Sequence, residues 1–280
     1  MSIVVFGSDG QLGRALQEVM PQAMFYDHRQ VDITDASRVA GVITAHRPDV
    51  VINAAAYTNV DGAEAHHKEA YQVNAKGSLH IATACAKVGA VYIYISTDYV
   101  FDGTSDLPYL PSSAPNPLNQ YGDTKLAGEE FATIANSYYI VRTSWVFGDG
   151  DNFVGAMLRL GKEHSEVSVV NDQIGLPTYA VDLARFCKFL VDKRPRSGIY
   201  HFCASGSPIS KAEFARTIFK LSGIDCHVKE VSTVEFYRGR DMSTIADRPM
   251  RAVLDCSDTD TLTNGRRGWY ACLKEYLEQN

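Results

Sequence analysis

The chain has 280 residues, enough for one large domain, or a domain with a second lobe, around a buried core. Hydrophobic residues make up 45% and charged residues 21%, an ordinary globular balance, and the formal net charge is −6. No basic block suits a nucleic-acid backbone, so an anionic ligand must be met by local charges and not by the overall field.

Residues 3–6 (IVVF) read as a short apolar strand. GSDGQLG follows at once, with Gly7, Gly10 and Gly13, and opens a helix over 11–20. In that context one glycine makes the tight turn, one lets the backbone approach a pyrophosphate, and one lets helix pack on strand. Gln11 and Leu12 begin the helix, whose N-terminus offers free N–H groups and partial positive charge to phosphates. The spacing is GxxGxxG, not GxGxxG, and a generic strand-to-helix turn would read the same; the strand before and the helix after favour a dinucleotide cradle. The next strand, 23–27 (AMFYD), ends at Asp27, which could hold a ribose 2′-hydroxyl, while His28 and Arg29 could accept a 2′-phosphate. Both chemistries sit side by side, and all three would also pass as plain loop residues; the reading leans to NADPH with NADH accepted. Asp32 and Ile33, in VDITD, fall near the expected adenine.

A helix over 35–47 is closed by Pro48, and an apolar strand covers 50–56. Its end, NAAAYT, brings Ala54, Ala55, Ala56, Tyr57 and Thr58 to the carboxyl edge of the sheet, where open α/β sheets bind ligands. A long helix is expected over 66–89, ending at Gly89, and a β-branched, aromatic strand over 90–96. Ile95 lies on that strand, and Ser96, Thr97 and Asp98 end it on the same edge. Residues 102–118 hold four prolines and read as loop, and a helix carrying Tyr121 runs to about Ser137. A strand over 138–148, a helix over 152–164, a strand over 167–173, a helix over 179–193, a strand over 198–204, a helix over 210–223 with Ser210 as N-cap, and a closing helix over 269–279 complete the pass. Alternating strands and helices argue an α/β fold, a Rossmann doubly wound parallel sheet with a smaller carboxyl-terminal substrate lobe. We expect a cofactor domain over 1–150, joined by 170–207, and a mainly substrate-binding lobe over 151–280.

The cysteines, Cys85, Cys187, Cys203, Cys226, Cys256 and Cys272, form no CxxC pair, which argues against a zinc ribbon or disulfide framework and for reduced thiols in a cytoplasm. The first residues lack a signal peptide's basic segment, and no apolar run approaches the ~20 residues that span a bilayer. His66 and His67 diverge on a helix, and no protein-built metal centre is expected.

YGDTK places Tyr121 and Lys125 on one helix face. An ammonium near a phenol favours phenolate and would pull the tyrosine down from its usual ~10, as an acid/base catalyst at neutral pH requires. Alone, the pair is equally a surface lysine over a half-buried tyrosine, and Thr97 alone is equally a hydroxyl capping a turn. Together, beside a bound nicotinamide, they make a carbonyl-reduction site.

At this point the sequence resembles the extended short-chain dehydrogenase/reductases and, within them, the dTDP-4-dehydrorhamnose reductases. The resemblance rests on GSDGQLG, VDITD, RPDVVINAAAYTNVD, YISTDYVFDG, NPLNQYGDTKLAGE, VRTSWVFG, Asn152–Phe153, VNDQIGLPT and Arg248–Pro249, from residue 3 to about 250. It implies NAD(P)H-dependent reduction of the 4-keto group of dTDP-4-dehydro-6-deoxy-L-mannose to dTDP-L-rhamnose. Tyr121 would give the proton, Lys125 would tune Tyr121 and hold the nicotinamide ribose, and Thr97 would bond the keto oxygen. Asp98 and Trp145 would contact the sugar, and Asn171, Gln173 and Arg248 are candidates for the nucleotide and diphosphate. Related nucleotide-sugar dehydratases carry a glutamate where this chain has Tyr99, which favours reduction over water elimination. Members that dimerise around a metal use glutamates near the first helix; Ala15 stands there, so no metal is carried over and a homodimer stays open. A different nucleotide-sugar reductase or epimerase, or a non-catalytic NADP-binding subunit, remain the alternatives.

Overall fold

The computed structural model describes residues 1–241 and 244–279. In chain order the first half holds β1 (Ile3–Phe6), α1 (Gln11–Val19), β2 (Met24–Tyr26), α2 (Ala36–His46), β3 (Val50–Asn53), α3 (Val60–Ala65), α4 (His67–Tyr71), α5 (Gly77–Val88), β4 (Val91–Thr97), α6 (Gln120–Ala132) and β5 (Tyr138–Thr143). The second half holds β6 (Val146–Phe147), α7 (Phe153–Glu163), β7 (Glu166–Val170), β8 (Ile174–Gly175), β9 (Thr178–Tyr179), α8 (Ala180–Lys193), β10 (Gly198–His201), β11 (Ile209–Ser210), α9 (Lys211–Ser222), β12 (His227–Val231), α10 (Thr233–Phe236), α11 (Ser257–Thr263) and α12 (Trp269–Gln279).

Six parallel strands form one sheet in the order β10-β5-β4-β3-β1-β2. The strands are apolar on both faces because both are covered. Ile3, Val5, Ile52 and Ile93 face α1 and α8, against Leu16, Leu183 and Leu190. Val4, Phe6, Val51, Tyr92 and Tyr94 face the other way, against Ile43 of α2 and Ile81 of α5. The strand order reverses direction between β1 and β3, and the crevice at their carboxyl ends is where such sheets bind ligands. A separate core, with Val154, Val167, Phe214, Ile218 and Leu273, joins α7, β7, α9 and α12 beyond the sheet.

Several boundaries differ from expectation for local reasons. The helix expected over 66–89 is α4 and α5 joined by a π-helical turn, Gln72–Lys76, and α3 precedes them. The widened turn turns the buried Asn74 toward the sheet edge, where its side chain bonds both the N–H (2.9 Å) and the carbonyl (3.1 Å) of Tyr57 and the Thr124 hydroxyl (3.0 Å). β3 stops at Asn53 because its side chain accepts from Ala55 N–H at 3.1 Å and turns the chain. α6 stops at Ala132, short of Ser137, and strand 138–148 breaks at Trp145, whose φ is 44°. The strand expected over 167–173 ends as β7 at Val170, and β12, which no sequence signal marked, pairs with β7.

Beneath the site lies a buried ion pair. Arg142 of β5 donates to Glu129 of α6 at 2.9 and 2.7 Å, Ser96 also donates to Glu129, and Arg142 reaches the carbonyl of Pro111 in the proline-rich loop. Arg142→Met would strand a buried carboxylate and cost about 3–5 kcal/mol in denaturant unfolding, whereas pairing it with Glu129→Met recovers most of the loss. A single-variant cost below about 1 kcal/mol would show the pair to be structurally idle.

Candidate active site

A cleft of about 670 Å³ opens along the carboxyl edge of β1, β3 and β4. Its floor is the glycine turn. Gly7 has φ 84°, and a Cβ there would overlap the backbone of Ala54 and Ala55; a Cβ on Gly13 would overlap the carbonyl of Gly7. Both glycines are therefore required by the protein's own packing. Gly10 is not: a Cβ there would meet only the Gly7 carbonyl, at 3.6 Å, so its bareness faces the cleft. Gly10 also caps α1 without a side-chain bond, which leaves the first-turn N–H groups to a ligand. Among the described residues Gln11 Oε1 is buried without a partner, while its amide donates to Asp151 O at 3.1 Å. An open cradle, a free helix start and an orphaned acceptor fit a dinucleotide's pyrophosphate and ribose.

The cleft is lined by Gly7, Gly10, Gln11, Leu12, His28, Asp32, Ile33, the Ala54–Thr58 turn, Ile95, Thr97, Asp98, Tyr121, Lys125 and Trp145. Other predicted residues lie elsewhere. The Asp27 carboxylate accepts from Gln30 N–H at 2.8 Å in its own turn, and neither it nor the exposed Arg29 reaches the wall, so of the three residues read for cofactor type only His28 does. Asn171 bonds Glu230 (3.1 Å) and Gln173 bonds Thr233 (3.1 Å), both off the cleft. Arg248 is paired with Asp61 at 2.9 Å and stands over Tyr237. Missed by sequence reading were Arg14, Ser144 and Lys211, which line the cleft.

Thr97, Asp98, Tyr121 and Lys125 gather where α6 meets β4. Asn119 caps α6, accepting from Gly122 N–H at 2.8 Å, and fixes Tyr121 near the first turn. Gly122 and Gly128 let the helix sit directly on Tyr99 and Tyr94. Burial pushes the Tyr121 phenol up to about 12, a hydrogen bond with Thr97 pulling the other way. Lys125, one turn on, is buried; its ammonium donates to Ile95 O at 2.6 Å and lies over the Tyr94 ring. Burial lowers it to about 7 against the pull of Glu129. The expected downward pull of Lys125 is not among the influences on Tyr121, which are burial and Asp98 raising the phenol and Thr97 lowering it. The Thr97 hydroxyl donates to Asp98 at 3.0 Å, and burial raises the Asp98 carboxyl to about 7, with Thr97 and Lys211 opposing. Tyr99, edge-on to Tyr121, is raised by burial too, so it cannot act as a base near neutrality.

Trp145 and Lys211 form the far wall. The left-handed backbone at Trp145 swings its ring against Gly175, where a Cβ would come within 2.8 Å, and the Lys211 ammonium sits 3.5 Å from the ring centroid. The sequence carried one signal for Lys211, a cation on the first turn of a helix, where the dipole disfavours it.

A family profile described as "RmlD substrate binding domain" matches residues 1–280. The dTDP-4-dehydrorhamnose reductase of Aggregatibacter actinomycetemcomitans is 38% identical over 266 residues, 90% of each chain. That of Escherichia coli is 41% identical over 250 residues, 84% of this chain and 83% of the other. Among solved structures, a Bacillus anthracis dTDP-4-dehydrorhamnose reductase in complex with NADP superposes with a TM-score of 0.93 at 39% identity, covering 100% of this chain and 99% of that one. The chain belongs to this family of Rossmann-type oxidoreductases, the dTDP-4-dehydrorhamnose reductases.

Proposed function

We propose that the chain reduces the 4-keto group of dTDP-4-dehydro-6-deoxy-L-mannose to dTDP-L-rhamnose with NADPH, accepting NADH. The observation that carries the reading is one cleft lined both by the glycine turn, suited to a dinucleotide, and by Thr97, Tyr121 and Lys125. The NADP complex of the Bacillus anthracis relative supports the choice of cofactor. The cofactor, when bound, supplies the hydride. Tyr121 O–H then donates its proton to the oxygen that becomes the C4 hydroxyl. Lys125, whose ammonium is the cation nearest in sequence on that helix face, stabilises the phenolate left behind and binds the nicotinamide ribose. Thr97 orients the keto oxygen together with Tyr121, and Asp98 and Trp145 line the sugar. His28, which lines the cleft, would meet the 2′-phosphate. Asn171 and Gln173, bonded to Glu230 and Thr233, lie outside the cleft lining, so the reading rests on Thr97, Asp98 and Trp145 for the sugar.

A coupled assay tests the reaction. With the dehydro sugar generated in situ, loss of 340 nm absorbance with NADPH and recovery of dTDP-L-rhamnose by NMR are expected. Protein that binds NADPH yet leaves it unoxidised would overturn the substrate. Lys125→Met should lower turnover by about 10²-fold. Its pH behaviour is a separate check. A ligand that bonds the ammonium favours the protonated form, whereas in the free protein burial brings Lys125 down to about 7. NADPH affinity should therefore weaken as pH rises from about 7 to 9 in the native chain, and Lys125→Met should flatten that slope. An unflattened slope would remove Lys125 from cofactor binding.

A further inference from the structure

We infer that Lys211 is a substrate-anchoring residue of this cleft, a cation held at its far wall to meet the diphosphate of a nucleotide sugar. The inference rests on the nucleotide-sugar reading above and deepens it.

Lys211 is poorly explained as a structural residue. It occupies the first position of α9, after the Ser210 N-cap, where the partial positive charge of the helix opposes an ammonium. The same turn carries Glu213, which suits the dipole; Lys211 does not. Its ammonium lies on the Trp145 ring at 3.5 Å and near the Phe153 ring at 4.8 Å. The bare Gly175 leaves room for the Trp145 ring, which a Cβ there would meet at 2.8 Å, so the shelf under the lysine is fixed in place. Among the described residues the ammonium has no hydrogen-bond partner, and its stem is half-buried. A desolvated cation on the wrong end of a helix costs stability, and such costs collect at functional sites.

Its neighbours point to an anion. Four basic residues line the cleft: Arg14, His28, Lys125 and Lys211. Arg14 donates to Asp9 O and pairs with Asp149, Lys125 donates to Ile95 O, and His28 lies beside Asp32 on the loop after β2. Lys211 stands instead with Thr97, Asp98, Tyr121 and Trp145, the substrate end. There Tyr99, Tyr121 and Trp145 are neutral, and Asp98 is the nearby carboxyl that acts on Lys211. Arg248 acts on Lys211 too but is tied to Asp61. With a net charge of −6, the protein as a whole repels a nucleoside diphosphate, so the charge must be met here. Among the described residues the Lys211 side chain has no hydrogen-bond partner, and a bound diphosphate would favour the charged form that burial disfavours.

The experiment measures binding of dTDP and dTMP to the NADPH complex by calorimetry, with KM and kcat for the dehydro sugar. Lys211→Met should weaken dTDP by about tenfold, weaken dTMP less, and raise KM more than it lowers kcat. Lys211→Arg should restore much of the dTDP affinity, and added salt should weaken dTDP more in the native chain than in the variant. A raised KM with dTDP affinity unchanged would overturn the diphosphate contact in favour of a sugar contact. Loss of NADPH binding in Lys211→Met and in the milder Lys211→Gln alike would overturn it in favour of a structural role. Were the native chain to bind dTDP through Lys211 yet fail to reduce this sugar, the reaction would fall and the anion site would stand.

Discussion

The seating of α6 on the end of β4 is the contact on which the site depends. Two glycines allow it: Gly122 clears the Tyr99 carbonyl, and Gly128 clears the Tyr94 hydroxyl. Any side chain at either position would lift the helix and carry Tyr121 and Lys125 away from Thr97 and Ile95. The ion pair of Glu129 with Arg142, joined by Ser96, then ties the same helix to β4 and β5 from beneath. Asn74, on its π turn, ties the helix through Thr124 to the Tyr57 loop on the cofactor side. The cleft walls around Tyr121 and around the Tyr57 turn are therefore held by one connected set of buried polar contacts.

Burial is also the dominant electrostatic influence. It raises Tyr121 to about 12 and lowers Lys125 to about 7, so both neutral forms gain. For reduction this is the useful direction. A proton donor must carry its proton near neutrality, and the neighbouring lysine matters once the proton has gone. The same influence disarms Tyr99 as a base, in keeping with reduction over elimination.

Much of this was legible in the residues. The alternation of strands and helices, the glycine turn, the carboxyl-edge position of Thr97 and the Tyr121–Lys125 spacing are local patterns, and the fold keeps them local. What escaped depends on distant partners. Nothing in VNDQ shows that β12 would pair with β7, or that Asn171 and Gln173 would turn to Glu230 and Thr233. Asp27 looked like a ribose ligand because strand-end acids often are, yet its turn with Gln30 claims it. Trp145 was read from its strand, but its left-handed backbone, set by the break between β5 and β6, aims the ring. Lys211 came from a helix far along the chain, brought to the cleft by the pairing of β11 with β8.

The account's central claim is that the half-buried Tyr121 phenol supplies the proton while a separate cradle holds the cofactor. The most direct measurement takes Tyr121→Phe and reads two quantities on one preparation: NADPH affinity by fluorescence and single-turnover reduction of the dehydro sugar. The account predicts native-like affinity with turnover reduced by about 10²-fold or more. Turnover near that of the native chain would contradict it.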